Sequence, residues 1–202
     1  MQSSRAAVFG GKVLSAALSS GTLPSTAAQK SPKPVHNMTD TALKMTTPGP
    51  RILALDLMTA LGWAVRADDG TPAYGTETFK VHASEGAGMR WLRFRNWLKR
   101  MRDETQFNAV YYEECVGFPP KNKGQDARVY HSFSSNLTAF CEERAIPYAG
   151  VGVGTIKRFI TGKGNSPKSA VIEAVKRLGY QPADSNQADA LALLLYAEQD
   201  LE

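Results

Sequence analysis

Carboxylate side chains occur at three separate places in this chain, and their chemistry would allow them to act together. Asp56 lies inside the apolar segment ILALDLM, Glu113 and Glu114 close the apolar segment AVYYEE, and Asp189 lies near the start of NQADALALLLYA. An ionised carboxylate in apolar surroundings is costly unless it is paired or binds a cation. Taken singly, each acid also has an ordinary structural interpretation, as a turn cap, a solvated strand end or a charge that complements a helix dipole.

Three carboxylates at strand ends and at a helix start form a less common pattern than any one of them alone. Hard divalent cations such as Mg²⁺ bind oxygen ligands of this kind and keep several waters. Two such ions about 4 Å apart can activate water and stabilise the leaving oxygen in phosphodiester cleavage. Because adjacent strand residues point to opposite faces, one of Glu113 and Glu114 is expected to be a solvated strand end.

The elements that must position these acids follow from the hydrophobic pattern. Strands are predicted in RILALDL, WAVRA and TETFKV, followed by a helix over residues 86–105. Next come a strand in FNAVYYEECVGF, a helix in VYHSFSSNLTAFCEERA and a strand in IPYAGVGV. GTIKRFITGKGNS is predicted to form a helical turn and a loop, and PKSAVIEAVKRLGY a helix. The last helix starts with Asp184 or Ser185 as its N-cap. Three hairpin strands followed by alternating elements predict an α/β fold with a mixed sheet.

The composition narrows the possible function classes. The chain has 202 residues and a formal net charge of +5, but residues 1–50 hold five basic residues and one acid, so the remainder is nearly balanced. Any affinity for nucleic acid must therefore come from local clustering of charge. No stretch of about 18 apolar residues predicts a membrane span. The two cysteines, Cys115 and Cys141, and the scattered histidines lack the spacing of a disulfide framework or a zinc site.

Between residues 51 and 198 the sequence resembles the RuvC-type Holliday-junction resolvases, members of the RNase H-like nuclease superfamily. LALDLMTALGWAV is similar to the family's first strand and hairpin, AVYYEE to its fourth strand and NQADALALLLYA to its closing acidic helix. IKRFITGKGNSPKSAV is similar to a segment with a lysine, a glycine pair and a second lysine. The resemblance implies an RNase H-like fold. In that fold a mixed five-stranded sheet has three antiparallel strands and then parallel strands, with helices on both faces.

The resemblance also implies which residues are catalytic, namely Asp56, Glu113, Asp189 and Lys168. It selects Glu113 as the second acid because the family's fourth strand has a Glu followed by a polar residue. It implies Mg²⁺ as the cofactor, with Mn²⁺ as a possible substitute and two ions in each active site. The expected metal ligands are Asp56, Glu113, Asn186 and Asp189.

Asn186 departs from the family pattern, which usually has two acids three residues apart on one face of the last helix. An amide oxygen can bind Mg²⁺, but it brings no negative charge. Two alternatives remain open at this point. Either the nearby Asp184 substitutes for the missing acid, or metal binding is weaker and catalysis depends on three acids.

A phosphodiester substrate needs positive charge around such a site. Lys157 and Lys168 fall at the family's two lysine positions, and Lys168 opens a helix, where free amides also favour a phosphate. A second basic segment, the polar loop PPKNKGQDAR, directly follows the catalytic strand. Phe118 precedes this loop and could stack on bases, although a core position is an equal alternative. The expected nucleic-acid-binding residues are Lys157, Lys163, Lys168, Phe118, Lys121, Lys123 and Arg128.

The implied activity is cleavage of four-way DNA junctions by metal-dependent hydrolysis. A four-way junction has two symmetric scissile strands, so a homodimer is implied, with Trp91 and Trp97 as candidates for its surface. No membrane and no small-molecule cofactor are expected as partners. One alternative is another RNase H-like nuclease that cuts flaps, forks or RNA–DNA hybrids, and a second is a non-catalytic junction-binding protein. An actin-like ATPase or kinase is disfavoured because the sequence lacks further glycine-rich phosphate loops.

Two domains are predicted, a tail over residues 1–50 and a RuvC-type nuclease domain over residues 51–202. The tail is rich in Ser, Ala, Thr and Pro, a composition that is unlikely to bury a core. It is interpreted as a disordered tail, as an upstream extension of a start at Met38 or Met45, or as an organellar transit peptide. The expected location is the cytoplasm of a bacterial or phage-infected cell, or an organelle if the tail is a transit peptide.

Overall fold

The computed structural model describes residues 50–66, 69–115 and 123–201, without the side chains of residues 123–126. No helix in this part of the chain is long and apolar enough to cross a bilayer. Its elements, in chain order, are β1 (Ile52–Asp56), β2 (Ala60–Arg66), β3 (Pro72–Thr78), α1 (Met89–Thr105), β4 (Ala109–Glu114), α2 (Lys123–Glu142), β5 (Tyr148–Gly152), α3 (Val153–Thr161), α4 (Lys168–Arg177) and α5 (Ser185–Asp200).

The strands form one five-stranded sheet in the order β3-β2-β1-β4-β5. β1 pairs antiparallel with β2, and β2 pairs antiparallel with β3. β1 and β4 are parallel, as are β4 and β5. The predicted mixed sheet, with three antiparallel strands followed by parallel ones, is confirmed.

The sheet separates two hydrophobic cores because successive strand residues point to opposite faces. Leu53 and Leu55 of β1 pack with buried residues of α1 and α2. Ile52 and Ala54 pack on the other face with buried residues of α3, α4 and α5. Helices therefore cover both faces, as predicted. Asp56 continues the series of Ile52 and Ala54, so it lies on the face that α5 covers.

The aromatic side chains of α1 pack into the core that lies on the α1 and α2 side of the sheet. Trp97 is only 4% exposed, and its ring stacks on Phe94 with centroids 6.2 Å apart. Trp91 is partly buried and packs edge-on against Phe133. The expectation that these tryptophans form a dimer surface is therefore wrong for Trp97, and Trp91 lies at the margin of the core.

Several element boundaries differ from the sequence-based predictions, and β2 begins at Ala60, inside the segment MTALG that was predicted as a turn. β3 begins at Pro72 because it pairs with β2 along its whole length, from Ala60 with Thr78 to Arg66 with Pro72. α2 begins at Lys123, inside the segment predicted as a loop. α3 is a helix of nine residues where only a helical turn was expected. Local patterns miss these ends because pairing and packing partners lie far away in the sequence.

Candidate functional site

Two of the predicted acids lie side by side at the carboxyl ends of parallel strands. Leu55 of β1 is in register with Tyr112 of β4, and the residues that follow them are Asp56 and Glu113. Asp56 is the last residue of its strand and is 5% exposed. The carboxyl ends of parallel strands are the usual place for a ligand site in an α/β sheet.

The two neighbouring acids of β4 face opposite sides of the sheet. Tyr111 is buried in the core beneath α5, so Glu113, two residues later, points to that same side. Glu114 points to the other side and is exposed. The structure thus brings Glu113, and not Glu114, to the face where Asp56 lies.

Asp189 reaches the same place from α5. The helix starts at Ser185 and its N-cap is Asp184, whose carboxylate accepts a hydrogen bond from the Gln187 amide at 2.9 Å. Asp189 is therefore in the second turn, not the first turn that the sequence suggested, and is 9% exposed. The helix-dipole effect falls off within the first turn, so it does not account for a buried acid here.

The three carboxylates influence one another. Burial raises the pKa of Asp56 well above its ordinary value, and the charges of Glu113 and Asp189 raise it further. Burial, followed by the charge of Asp189, raises the pKa of Glu113 to about 7. Burial raises the pKa of Asp189, while Lys168 and Lys157 oppose that rise. The Lys168 Nζ lies 4.0 Å from Asp189 Oδ2.

This donor set fits a hard divalent cation. Burial raises all three pKa values, like charges add to the rise at Asp56 and Glu113, and no hydrogen bond to the three carboxylates contributes. A bound cation would replace that repulsion with attraction. Within the described ranges, no three acidic, histidine or cysteine side chains already surround a common point. The carboxylates act on one another through their charges, and their side chains would have to move closer together to hold one ion.

Asp184 is engaged elsewhere. One carboxylate oxygen accepts the cap bond from Gln187, and the other accepts a hydrogen bond from Thr76 Oγ1 at 2.7 Å. Asn186 lies three residues before Asp189, on the same side of α5. Of the two alternatives for the missing acid, the geometry favours a site with three acids and Asn186, because both Asp184 oxygens already accept hydrogen bonds that hold the carboxylate in the cap of α5. The charge of Asp184 still acts on Asp56.

Two of the predicted basic residues border the carboxylates. Lys157 of α3 is partly buried and lowers the pKa of both Glu113 and Asp189. Lys168 opens α4, and its side chain is 64% exposed. Lys163 is exposed in the turn between α3 and α4.

The second predicted basic segment is only partly described. Lys123 is the first residue of α2, but its side chain lies outside the described residues, as do Phe118 and Lys121. Arg128 is exposed on α2 rather than in a loop. The predicted contact of this segment with DNA therefore stays a prediction.

A tightly packed turn connects α3 to α4, the helix that Lys168 opens. Ser166 is 8% exposed, and its hydroxyl donates to the Lys163 carbonyl at 2.9 Å and lies 2.7 Å from Thr161 Oγ1. A Cβ on Gly164 would lie 2.9 Å from the Gly154 carbonyl oxygen. These contacts join the end of α3 to the start of α4, and no pattern in the sequence beyond the glycine pair indicates them.

Gly62 was also missed, because the sequence-based prediction placed it in a turn, whereas it lies inside β2, where a glycine is a known sign of close approach. It pairs with Asp56 across the β1–β2 ladder. A Cβ at this position would lie 2.1 Å from the Asn186 carbonyl oxygen. The first turn of α5 therefore rests directly on β2 beside Asp56.

A separate cavity of about 270 Å³ lies at the other end of the sheet. It opens beside Asn108 at the start of β4 and Pro147 just before β5. Its lining is mostly apolar, and it contains none of the three carboxylates. This cavity and the three carboxylates therefore lie at opposite ends of the parallel strands.

No protein-family model and no curated protein sequence matches the chain. Solved structures do match. A Thermus thermophilus RuvC in complex with a Holliday junction substrate is similar at 23% identity and a TM-score of 0.60, covering 73% of this chain and 94% of that one. Another Thermus thermophilus RuvC structure is 24% identical with a TM-score of 0.59, covering 74% and 96%. The chain therefore has the RNase H-like fold of RuvC.

Proposed function

We propose that this protein is a metal-dependent endonuclease that cuts branched DNA, with the four-way junction as its substrate. The observation that carries the proposal is the convergence of Asp56, Glu113 and Asp189 at the carboxyl ends of β1 and β4, with Lys168 beside them. Support also comes from the fold, because one RuvC structure of this fold is a complex with a Holliday junction. Buried like charges have no evident structural purpose in a fold that they destabilise.

The three carboxylates and the Asn186 amide oxygen would hold Mg²⁺, with two ions in each site. Such ions, when bound, supply an activated water and stabilise the leaving oxygen of a phosphodiester. The protein's own part is to fix Asp56 and Glu113 at the ends of β1 and β4, while the charge of Lys168 opposes the rise in their pKa that burial causes. Lys168 can swing from Asp189 towards a phosphate oxygen because its side chain is largely exposed.

A homodimer is part of this proposal. The two scissile strands of a four-way junction are related by two-fold symmetry, so two copies of the site would cut them in a paired way. The described residues do not single out its surface, since Trp97 is buried.

The test is cleavage of a labelled four-way junction, a flap and a linear duplex, with Mg²⁺ and then with Mn²⁺. We expect paired, symmetric cuts on the junction. Glu113→Gln should lose this activity, whereas Glu114→Gln should keep it, because the two neighbouring acids face opposite sides of the sheet. Equal cutting of the linear duplex would contradict junction selectivity. Equal loss in both variants would contradict the assignment of Glu113.

A second candidate is a junction-binding protein that does not cut. The specific observation in its favour is Asn186, which leaves the candidate site one carboxylate short of the pattern that the sequence resembles. Tight junction binding without cleavage in either metal would support it.

Asn186→Asp is expected to strengthen metal binding. A fourth carboxylate on the Asp189 side of α5 adds attraction for a cation, and about 1.4 kcal/mol corresponds to a tenfold change in affinity. The Mg²⁺ concentration for half-maximal cleavage should therefore fall by about tenfold, measured by titrating Mg²⁺ at a fixed junction concentration. Asn186→Ala is the matched control and should raise that concentration. An unchanged Mg²⁺ dependence in both variants would show that residue 186 takes no part in metal binding.

A further inference from the structure

Three residues on neighbouring strands form a row beneath the start of α5. Asp56 of β1 pairs with Gly62 of β2, and Gly62 pairs with Thr76 of β3. Residues directly opposite each other on antiparallel strands share a face of the sheet. The row therefore runs across the strands on the side that α5 covers.

Each residue of this row interacts with a different residue at the start of α5. The charge of Asp189 acts on Asp56. The Asn186 backbone lies against Gly62 so closely that no Cβ fits between them. Asp184 accepts a hydrogen bond from Thr76 Oγ1 at 2.7 Å. Asp189, Asn186 and Asp184 thus face β1, β2 and β3, in that order.

The bond between Thr76 and Asp184 goes beyond what capping requires. An N-cap carboxylate needs one oxygen to accept an amide of the first turn, and the bond from Gln187 meets that need. The Gln187 side chain in turn accepts from the Ala183 amide at 2.9 Å, so the helix end is stabilised without β3. The second oxygen of Asp184 accepts the bond from Thr76 and so links the start of α5 to β3.

We propose that Thr76 and Asp184 are positioning residues, whose hydrogen bond fixes the start of α5 on the sheet and thereby sets where Asp189 lies relative to Asp56. The inference rests on the proposed function for its link to DNA cleavage. Its physical content is independent of the substrate, because it concerns the shape of the metal site. Residues that orient metal ligands commonly change metal affinity or activity by 10–100-fold when they are replaced.

Thr76→Val removes the hydroxyl with little change in side-chain shape and leaves the cap of α5 intact. Asp184→Ser is a second variant, since Ser keeps a good N-cap but is too short to reach Thr76. Thr76→Ser restores the hydroxyl. Thr78→Val is the matched control, because Thr78 is exposed two residues further along the same strand.

The first measurement is the rise in melting temperature of the metal-free full-length chain as Mn²⁺ is added. We expect Thr76→Val and Asp184→Ser to need about tenfold more Mn²⁺ for half of the full rise. Thr76→Ser and Thr78→Val should stay within about twofold of the unaltered chain. The second measurement is junction cleavage, which we expect to fall in parallel for the first two variants.

A merely structural role would lower the melting temperature of Thr76→Val without changing its Mn²⁺ dependence, and that result would overturn the inference. If the unaltered chain responds to Mn²⁺ but cuts no branched DNA, the proposed function fails. The Mn²⁺ dependence of the variants would then still test whether Thr76 and Asp184 are positioning residues. If the unaltered chain shows no response to Mn²⁺, the inference fails as well.

Discussion

Asp56→Asn is expected to abolish junction cleavage while raising the melting temperature of the metal-free protein. The variant loses a central carboxylate of the candidate metal site, and several kcal/mol of transition-state stabilisation correspond to a rate loss on the order of a thousandfold. It also removes a charge that burial and the neighbouring Glu113 and Asp189 make unfavourable. A single substitution should therefore change activity and stability in opposite directions.

The same reasoning gives a pH dependence with a definite sign. The folded chain holds protons on Asp56, Glu113 and Asp189 more tightly than the unfolded chain, because their pKa values are raised. The free energy of unfolding therefore falls as the pH rises through these carboxyl groups. For Glu113 the fall begins near the ordinary carboxyl pKa of about 4 and is complete above its folded pKa of about 7.

Thermal unfolding in EDTA between pH 5 and pH 8 is the measurement. We expect the melting temperature of the unaltered chain to fall over this range. Asp56→Asn should flatten the slope and raise the melting temperature at pH 8 by about 2–5 °C. Glu114→Gln is the control that should leave the slope unchanged, because Glu114 is exposed on the other face. A lower melting temperature for Asp56→Asn at pH 8 would show that the carboxylate stabilises the fold and is not held there at a cost.

Gly62→Ala is expected to damage both the fold and the site. The new Cβ would lie 2.1 Å from the Asn186 carbonyl oxygen and 2.6 Å from its carbon, and both are backbone atoms that cannot rotate away. The start of α5 must move off the sheet, and overpacking of this kind costs about 1–3 kcal/mol. A displacement near 1 Å at the ligands can lower the rate about a hundredfold.

The measurements are the melting temperature and the cleavage rate, with the rate taken well below the melting transition. Gly86→Ala is the matched control, because a Cβ there meets nothing within 4 Å. Wild-type cleavage by Gly62→Ala would show that the contact between β2 and α5 does not set the position of Asp189.

Much of the fold could be predicted from residue patterns because local spacing reports on burial. The apolar segment around Asp56 predicted a buried strand, and the segment after Asp189 predicted a packed helix, and both are confirmed. The start of β3 and the start of α2 were placed wrongly, since β3 is defined by pairing with β2 and α2 by packing against α1 and the sheet. Patterns within a short window contain no information on such partners.

The sequence by itself determined which residues could carry chemistry, because a carboxylate inside an apolar segment is visible without coordinates. Strand periodicity alone left open which of Glu113 and Glu114 faces the site, although the family resemblance selected Glu113, and it left open what Asp184 does. Those points were decided by the tertiary structure. The register of β4 turns Glu113 towards α5, and the hydrogen bond from Thr76 engages Asp184. The physical reason is that both points depend on partners far away in the chain, such as Thr76 and Asp184, which are 108 residues apart and which only folding brings into contact.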